Sequence, residues 1–209
     1  KLGIPPAHRK LIDALPAPAT RRIDDIVKGK ATGVIVLASG PPGTGKTLTA
    51  EVYSESAKRP LYNVQCSQLG TSAEELEKRL SEVLSRAARW RAILLIDEAD
   101  VYVRSRGADI EQNAIVGVFL RLLEYHQGIL FLTTNRATTI DDAILSRVTA
   151  HVRYSIPADD DRAKLWSVLA SQQLNGSIAP EAKFVREAIG LFPKVSGRSI
   201  RQLLRLART

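Results

Sequence analysis

"ASGPPGTGKTLTAEVYSE", residues 38–55, sets two prolines and three glycines between an apolar run and a stretch of helical character, then places a lysine at the turn. The segment contains G-x-x-x-x-G-K-[ST], with Gly40, Gly45, Lys46 and Thr47 in the defining places. Its context fits, because the β-branched run "GVIVLAS" from Gly33 reads as a strand and the residues after Lys46 read as a helix. Glycines let the backbone take conformations that a Cβ forbids, so consecutive N–H groups can point inward at a phosphate while the following helix adds its positive end. Lys46 is then placed to bridge β- and γ-phosphates, and the Thr47 hydroxyl to hold Mg²⁺. The predicted nucleotide-binding set is Gly40, Pro41, Pro42, Gly43, Thr44, Gly45, Lys46, Thr47 and Leu48, joined by Asp97.

Outward from this loop, three more apolar runs, "PLYNVQ" at 60–65, "AILLID" at 92–97 and "ILFLTT" at 129–134, read as buried strands. Between them, apolar residues recur three or four apart at about 46–58, 73–90 and 110–126, as in Leu76, Leu80, Val83, Leu84 and Ala87. Strand and helix alternate, which predicts an α/β fold: a doubly wound parallel sheet of about five strands, closed by "HVRYSI" at 151–156. After Pro157 the pattern is helical only, at about 159–173, 181–190 and 197–208. The expected organisation is an arm or linker over 1–23, an α/β nucleotide-binding subdomain over 24–156, and a small α-helical lid subdomain over 157–209.

Composition bounds the rest. The chain has 209 residues, 44% apolar and 25% charged, an ordinary globular balance. No apolar stretch reaches the roughly 18 to 20 residues a membrane span needs. With no signal-peptide pattern and one cysteine, Cys66, a cytoplasmic location is expected. The chain begins at Lys1 and contains no methionine, which suits a piece of a longer protein. A net charge of +8 leaves a nucleic-acid partner open. His8, His126 and His151 have no Cys or Asp at ligand spacing, Cys66 has no histidine placed to activate it, and Trp90 and Trp166 read as packing residues.

The second motif is "ILLIDEAD", an apolar strand ending in Asp97 and Glu98. Carboxylates at the carboxyl end of a parallel strand lie beside the phosphate loop in such sheets. Asp97 can orient Mg²⁺ and its waters, and Glu98 can polarise an attacking water. With "GPPGTGKT" and "LLIDEAD" together, the chain resembles an AAA-type ATPase of the AAA+ superfamily, from about Asp24 to Thr209. The stretch "NAIVGVFLRLLEYHQGILFLTTNR" is similar to one AAA subgroup.

The resemblance implies ATP and Mg²⁺ as cofactors and self-association into a ring, a hexamer in the family. It makes Asn135, at the end of "TTN", the sensor of the γ-phosphate, and Arg147, in "DDAILSR", the arginine that reaches a neighbouring subunit's ATP, with Arg136 and Arg153 as weaker substitutes. In "VSGRSIRQLLRLA" it makes Arg198 a second sensor on the lid, while Arg201 and Arg205 read as solvated or interface charge. The segment of Arg147 is two residues shorter than the commonest family form, which carries a pair of arginines, and the departure that matters most lies elsewhere. Threading members carry an aromatic loop after the second strand, whereas "CSQLGTSAEELE" is shorter and lacks an aromatic, which leaves Arg104 and Arg106 of "VRSRGAD" as the candidates to face an acidic or phosphate-bearing partner.

The expected function is hydrolysis of ATP to ADP and phosphate, coupled to remodelling of a protein partner. Two rivals stand beside it: a nucleic-acid-associated ATPase of helicase-loader or transposition-helper type, suggested by the charge, and a switch module that binds ATP and turns it over slowly.

Overall fold

The computed structural model describes residues 33–136, 138–173, 182–192 and 195–206. The expected arm over 1–23, the start of the expected 24–156 subdomain, His8 and residues 207–209 lie outside them. Five strands, β1 (Val34–Ser39), β2 (Leu61–Gln65), β3 (Ile93–Asp97), β4 (Ile129–Thr134) and β5 (Ala150–Arg153), form one sheet in the order β2-β3-β4-β1-β5. Every neighbouring pair is parallel. The helices are α1 (Lys46–Ala57), α2 (Ala73–Trp90), α3 (Ile110–Glu124), α4 (Asp142–Arg147), α5 (Asp159–Gln173), α6 (Ala182–Leu191) and α7 (Gly197–Leu206).

The unbroken apolar runs have a two-sided destination. Ile35, Leu37, Leu94, Ile96, Leu130 and Leu132 point to one face, where they meet Leu76, Leu80 and Val83 of α2 and Val116 and Phe119 of α3. Val36, Ala38, Ile93, Leu95, Ile129 and Phe131 point to the other, against Ala50 and Tyr53 of α1. Period-two alternation along β1, β3 and β4 feeds both layers, so polar residues in these strands are confined to their carboxyl ends, at Ser39, Asp97, Thr133 and Thr134. Each fully buried leucine here stabilises the fold by about 1.5–3 kcal/mol.

Helix ends follow local chemistry. The Ser72 hydroxyl accepts from Glu75 N–H to start α2, and the Asp109 carboxylate accepts from Gln112 N–H to start α3. α1 and α2 end on Lys58 and Arg91 in left-handed conformation (φ 51° and 50°), where positive charge complements the helix dipole. β5 is shorter than expected because its partner β1 ends at Ser39, paired with Arg153, where the chain turns away into the glycine-rich loop.

The last three helices pack on each other through Trp166, Leu169, Val185, Ala188 and Ile200, a core separate from the two sheet faces. Trp166 is a packing residue as expected. Trp90 is not: it is 50% exposed, edge-on to Tyr62 at 5.3 Å with the Arg86 guanidinium nearby, because it closes α2 at the sheet edge. His126 is buried beneath the sheet, its Nε2 without a hydrogen-bond partner among the described residues, and burial pushes its pKa down to about 4. No described helix is long and apolar enough to cross a membrane.

Candidate nucleotide site

The loop between β1 and α1 is held open by three glycines at positive φ: Gly40 (143°), Gly43 (75°) and Gly45 (100°). At Gly40 the need is also steric, since a Cβ would fall 2.1 Å from the Tyr154 carbonyl oxygen. The Thr44 hydroxyl donates to the Pro41 carbonyl at 2.8 Å and fixes the loop's curvature, while Pro42 lies at its exposed tip. Gly45 caps α1 without a side-chain acceptor, so the first N–H groups of that helix are offered to the loop's interior. Leu48 is half-buried in the first turn of α1.

Lys46 is 7% exposed, and its ammonium donates to the Gly40 carbonyl (2.7 Å), the Pro41 carbonyl (2.8 Å) and Asn135 Oδ1 (2.9 Å). Burial lowers its pKa, opposed by the carboxylates of Asp100, Asp97 and Glu98. Three acceptors and the surrounding carboxylates thus hold the charged form of Lys46 against the cost of burial.

On the far wall, the Thr47 hydroxyl donates to both oxygens of Asp97, at 3.1 and 3.3 Å. Thr133, at the end of β4, donates to Asp97 Oδ1 and accepts from Glu98 N–H at 3.0 Å. Glu98 adopts φ 57°, ψ 44°, a left-handed conformation unusual for a non-glycine residue, with its side chain exposed. Strain of this kind is retained where a side chain must be aimed.

Sequence reasoning missed Asp100. Its Oδ1 accepts from the Thr134 hydroxyl (2.6 Å) and from Asn135 N–H (2.9 Å), so it fixes the backbone that presents Asn135 to Lys46. The available signal was its place two residues after Glu98, where a short 3-10 turn (Ala99–Val101) brings a carboxylate back over the strand end.

The remaining expected residues divide. Arg198 lies beside the loop: a Cβ on Gly43 would fall 3.0 Å from Arg198 Cβ, and the guanidinium lowers the pKa of Lys46. Arg147, at the end of α4, meets no loop residue; its Nη1 donates to the Ala143 carbonyl at 3.0 Å and its Nη2 pairs with Glu124 of the same chain. Arg136 N–H donates to the Thr134 hydroxyl at 3.1 Å, and Arg153 is exposed at the end of β5. Arg201 and Arg205 are exposed on α7. Arg106 does not point free toward a partner, because the buried carboxylate of Asp141 takes it at 3.0 Å; Arg104 stays exposed.

The short segment after β2 is tied down. Leu69 is 1% exposed, and the Tyr102 hydroxyl lies within hydrogen-bond distance of the Cys66 (3.1 Å) and Gly70 (3.0 Å) carbonyls. Burial pushes the Cys66 thiol up, as for an inert packing cysteine. His151 Nε2 lies 2.8 Å from the Ser39 hydroxyl, and no group of three or more metal-ligating side chains occurs among the described residues.

Comparison with known proteins agrees with this geometry. A protein from Caenorhabditis elegans, "Mitochondrial sorting homolog", is 30% identical over 181 residues, which is 82% of this chain and 52% of that protein. Fidgetin-like protein 1 of Drosophila melanogaster is 30% identical over 182 residues, 81% of this chain and 34% of that protein. The chain thus spans about half the length, or less, of these relatives. The crystal structure of the FIGL-1 AAA domain in complex with ADP has the same fold, with a TM-score of 0.69 at 21% identity over 96% of this chain and 68% of that one. The sequence profile of the ATPase family associated with various cellular activities matches residues 36–156, and the chain belongs to that family, AAA.

Proposed function

We propose that this chain hydrolyses ATP to ADP and phosphate in a site completed between subunits of a ring, and that turnover is coupled to remodelling of a protein partner. The observation that carries the reading is the convergence of loop, strand end and β4 on one point: Lys46 on Asn135, and Thr47 on Asp97. These are the parts phosphoryl transfer uses, because its catalysis is positioning and charge stabilisation rather than covalent chemistry.

The donor set fits Mg²⁺. A hydroxyl and a carboxylate, Thr47 and Asp97, stand together as hard oxygen donors beside the loop. Thr47 and Asp97 would hold the ion, which would supply neutralisation of phosphate charge.

The chain's own groups do the remaining work. Gly43, Thr44 and Gly45 supply the backbone that cradles the β-phosphate, and Lys46 exchanges its loop carbonyls for phosphate oxygens when ATP enters. Asn135, held by Asp100, keeps an amide at the γ-phosphate. Glu98 accepts a proton from the attacking water, with its backbone fixed through Thr133. Arg198 brings the lid helix α7 to the same phosphates. Arg147 serves the neighbouring subunit, where an arginine typically gives about 10³–10⁵ in rate, or roughly 4–7 kcal/mol. The lid begins after Pro157, and the α/β part spans 24–156.

The test is ATP turnover per subunit over a wide protein concentration range, for the wild type and Arg147→Ala. Specific activity should climb with concentration in the wild type and stay flat and low in the variant. Turnover independent of concentration in both would support the slow-switch reading instead.

A further inference from the structure

The loop that follows the catalytic carboxylates is fastened to the helix that carries Arg147. Beyond the 3-10 turn at Ala99–Val101, Tyr102 and Val103 are buried, and the Val103 carbonyl accepts from Asp141 N–H at 2.9 Å. Ser105 N–H donates to the Thr139 carbonyl at 3.0 Å, and Arg104 forms an antiparallel bridge with Ile140. Arg106 then grips the Asp141 carboxylate with its backbone N–H (3.2 Å), Nε (3.0 Å) and Nη2 (3.4 Å).

Asp141 is 5% exposed and has a second duty. Its Oδ1 accepts from Ala143 N–H at 2.9 Å and caps α4, and the Ala143 carbonyl in turn accepts from Arg147 Nη1 at 3.0 Å. At the other end, Asp100 holds Thr134 and Asn135 beside Lys46. The backbone from Asp100 to Arg106, the hydrogen bonds it makes to Thr139 and Asp141, and the cap of α4 therefore join the strand-end carboxylates to the arginine.

We infer that Arg106 and Asp141 are positioning residues for Arg147: they transmit the setting of one subunit's strand-end carboxylates to the arginine that subunit offers its neighbour. The inference rests on the reading of Arg147 as the arginine acting on the neighbour's nucleotide. A planar guanidinium gripping a buried carboxylate is suited to the task, because the fork fixes an angle as well as a distance. A small rotation of α4 would swing Arg147 out of line, and misplacement of a reacting group by about 1 Å can cost up to 10²-fold.

The experiment is ATP turnover at saturating protein concentration for Arg106→Gln, for the neutral pair R106Q/D141N, and for each combined with Arg147→Ala. The neutral pair leaves no unpaired buried charge, and Asn keeps an acceptor for Ala143 N–H, so folding is guarded. Both should lower kcat about tenfold while leaving KM for ATP within about twofold, and neither should lower it further when Arg147 is already alanine. Equal losses with and without Arg147 would overturn the inference, since the contact would then be structural only. Full activity of the neutral pair beside a crippled Arg147→Ala would overturn it too. Full activity of Arg147→Ala itself would sink the underlying reading, a distinguishable result.

Discussion

The two sides of this site are built differently. Lys46 is hydrogen-bonded to Asn135, and Thr47 and Thr133 to Asp97, all inside a single chain. Arg147 touches none of them and is instead tied to Glu124 on α3. On the proposed reading, the difference separates a binding geometry set within one chain from an arginine that acts only on a neighbour's nucleotide. A subunit so constructed should hold nucleotide well and spend it slowly when alone.

The strongest way to sharpen this contrast is Glu98→Gln. On the proposed reading it removes the base and keeps the cradle, so turnover should fall about 10³-fold while nucleotide affinity, measured by calorimetry, stays within a few-fold. Normal hydrolysis by that variant would remove Glu98 from its role. Next, Asp100→Asn weakens the hold on Thr134 and Asn135; kcat should drop about tenfold with affinity nearly unchanged, and a pure loss of binding would show Asp100 to shape the cradle instead. Glu124→Gln frees Arg147 from its in-chain partner. Half-maximal specific activity should then come at a concentration about threefold lower, as expected for an exposed ion pair worth under about 1 kcal/mol, and an unmoved curve would mean Glu124 does not compete.

The smallest catalytic effect belongs to His126, which lies away from both sides. Its folded-state pKa of about 4 is below the ordinary 6.5, so the folded form favours the neutral ring. Stability from this residue is complete above about pH 6.5 and is lost as pH falls toward 4, on the order of 3 kcal/mol in all. His126→Leu should flatten the acid limb of a denaturation series and leave turnover alone. An unchanged acid limb would show that the ring is relieved by local opening.

Much of the architecture was legible because the signals were local. Apolar runs such as "AILLID" located β3 to within a residue, and helical spacing located α2 at its observed ends. The glycine spacing placed the phosphate loop for the same reason: backbone conformation is written in the residues that adopt it. Contacts between distant segments were not written anywhere nearby. Asp100 to Asn135, Arg106 to Asp141 and Arg147 to Glu124 join residues far apart in the chain, and each charged member, read alone, is indistinguishable from a solvated one. Trp90 misled for a related reason, since helical periodicity says which face a residue shares but not whether the sheet extends far enough to cover it.

Gly43 carries a consequence for the lid. A Cβ there would come within 2.4 Å of the Ser196 hydroxyl, so bare backbone is all that separates the loop from the start of α7. The glycine thus works as a feeler gauge: its missing side chain sets how near the lid can settle, and a single methyl group at that point would act as a doorstop, propping Ser196 and Arg198 away from the loop with every charged group of the site intact.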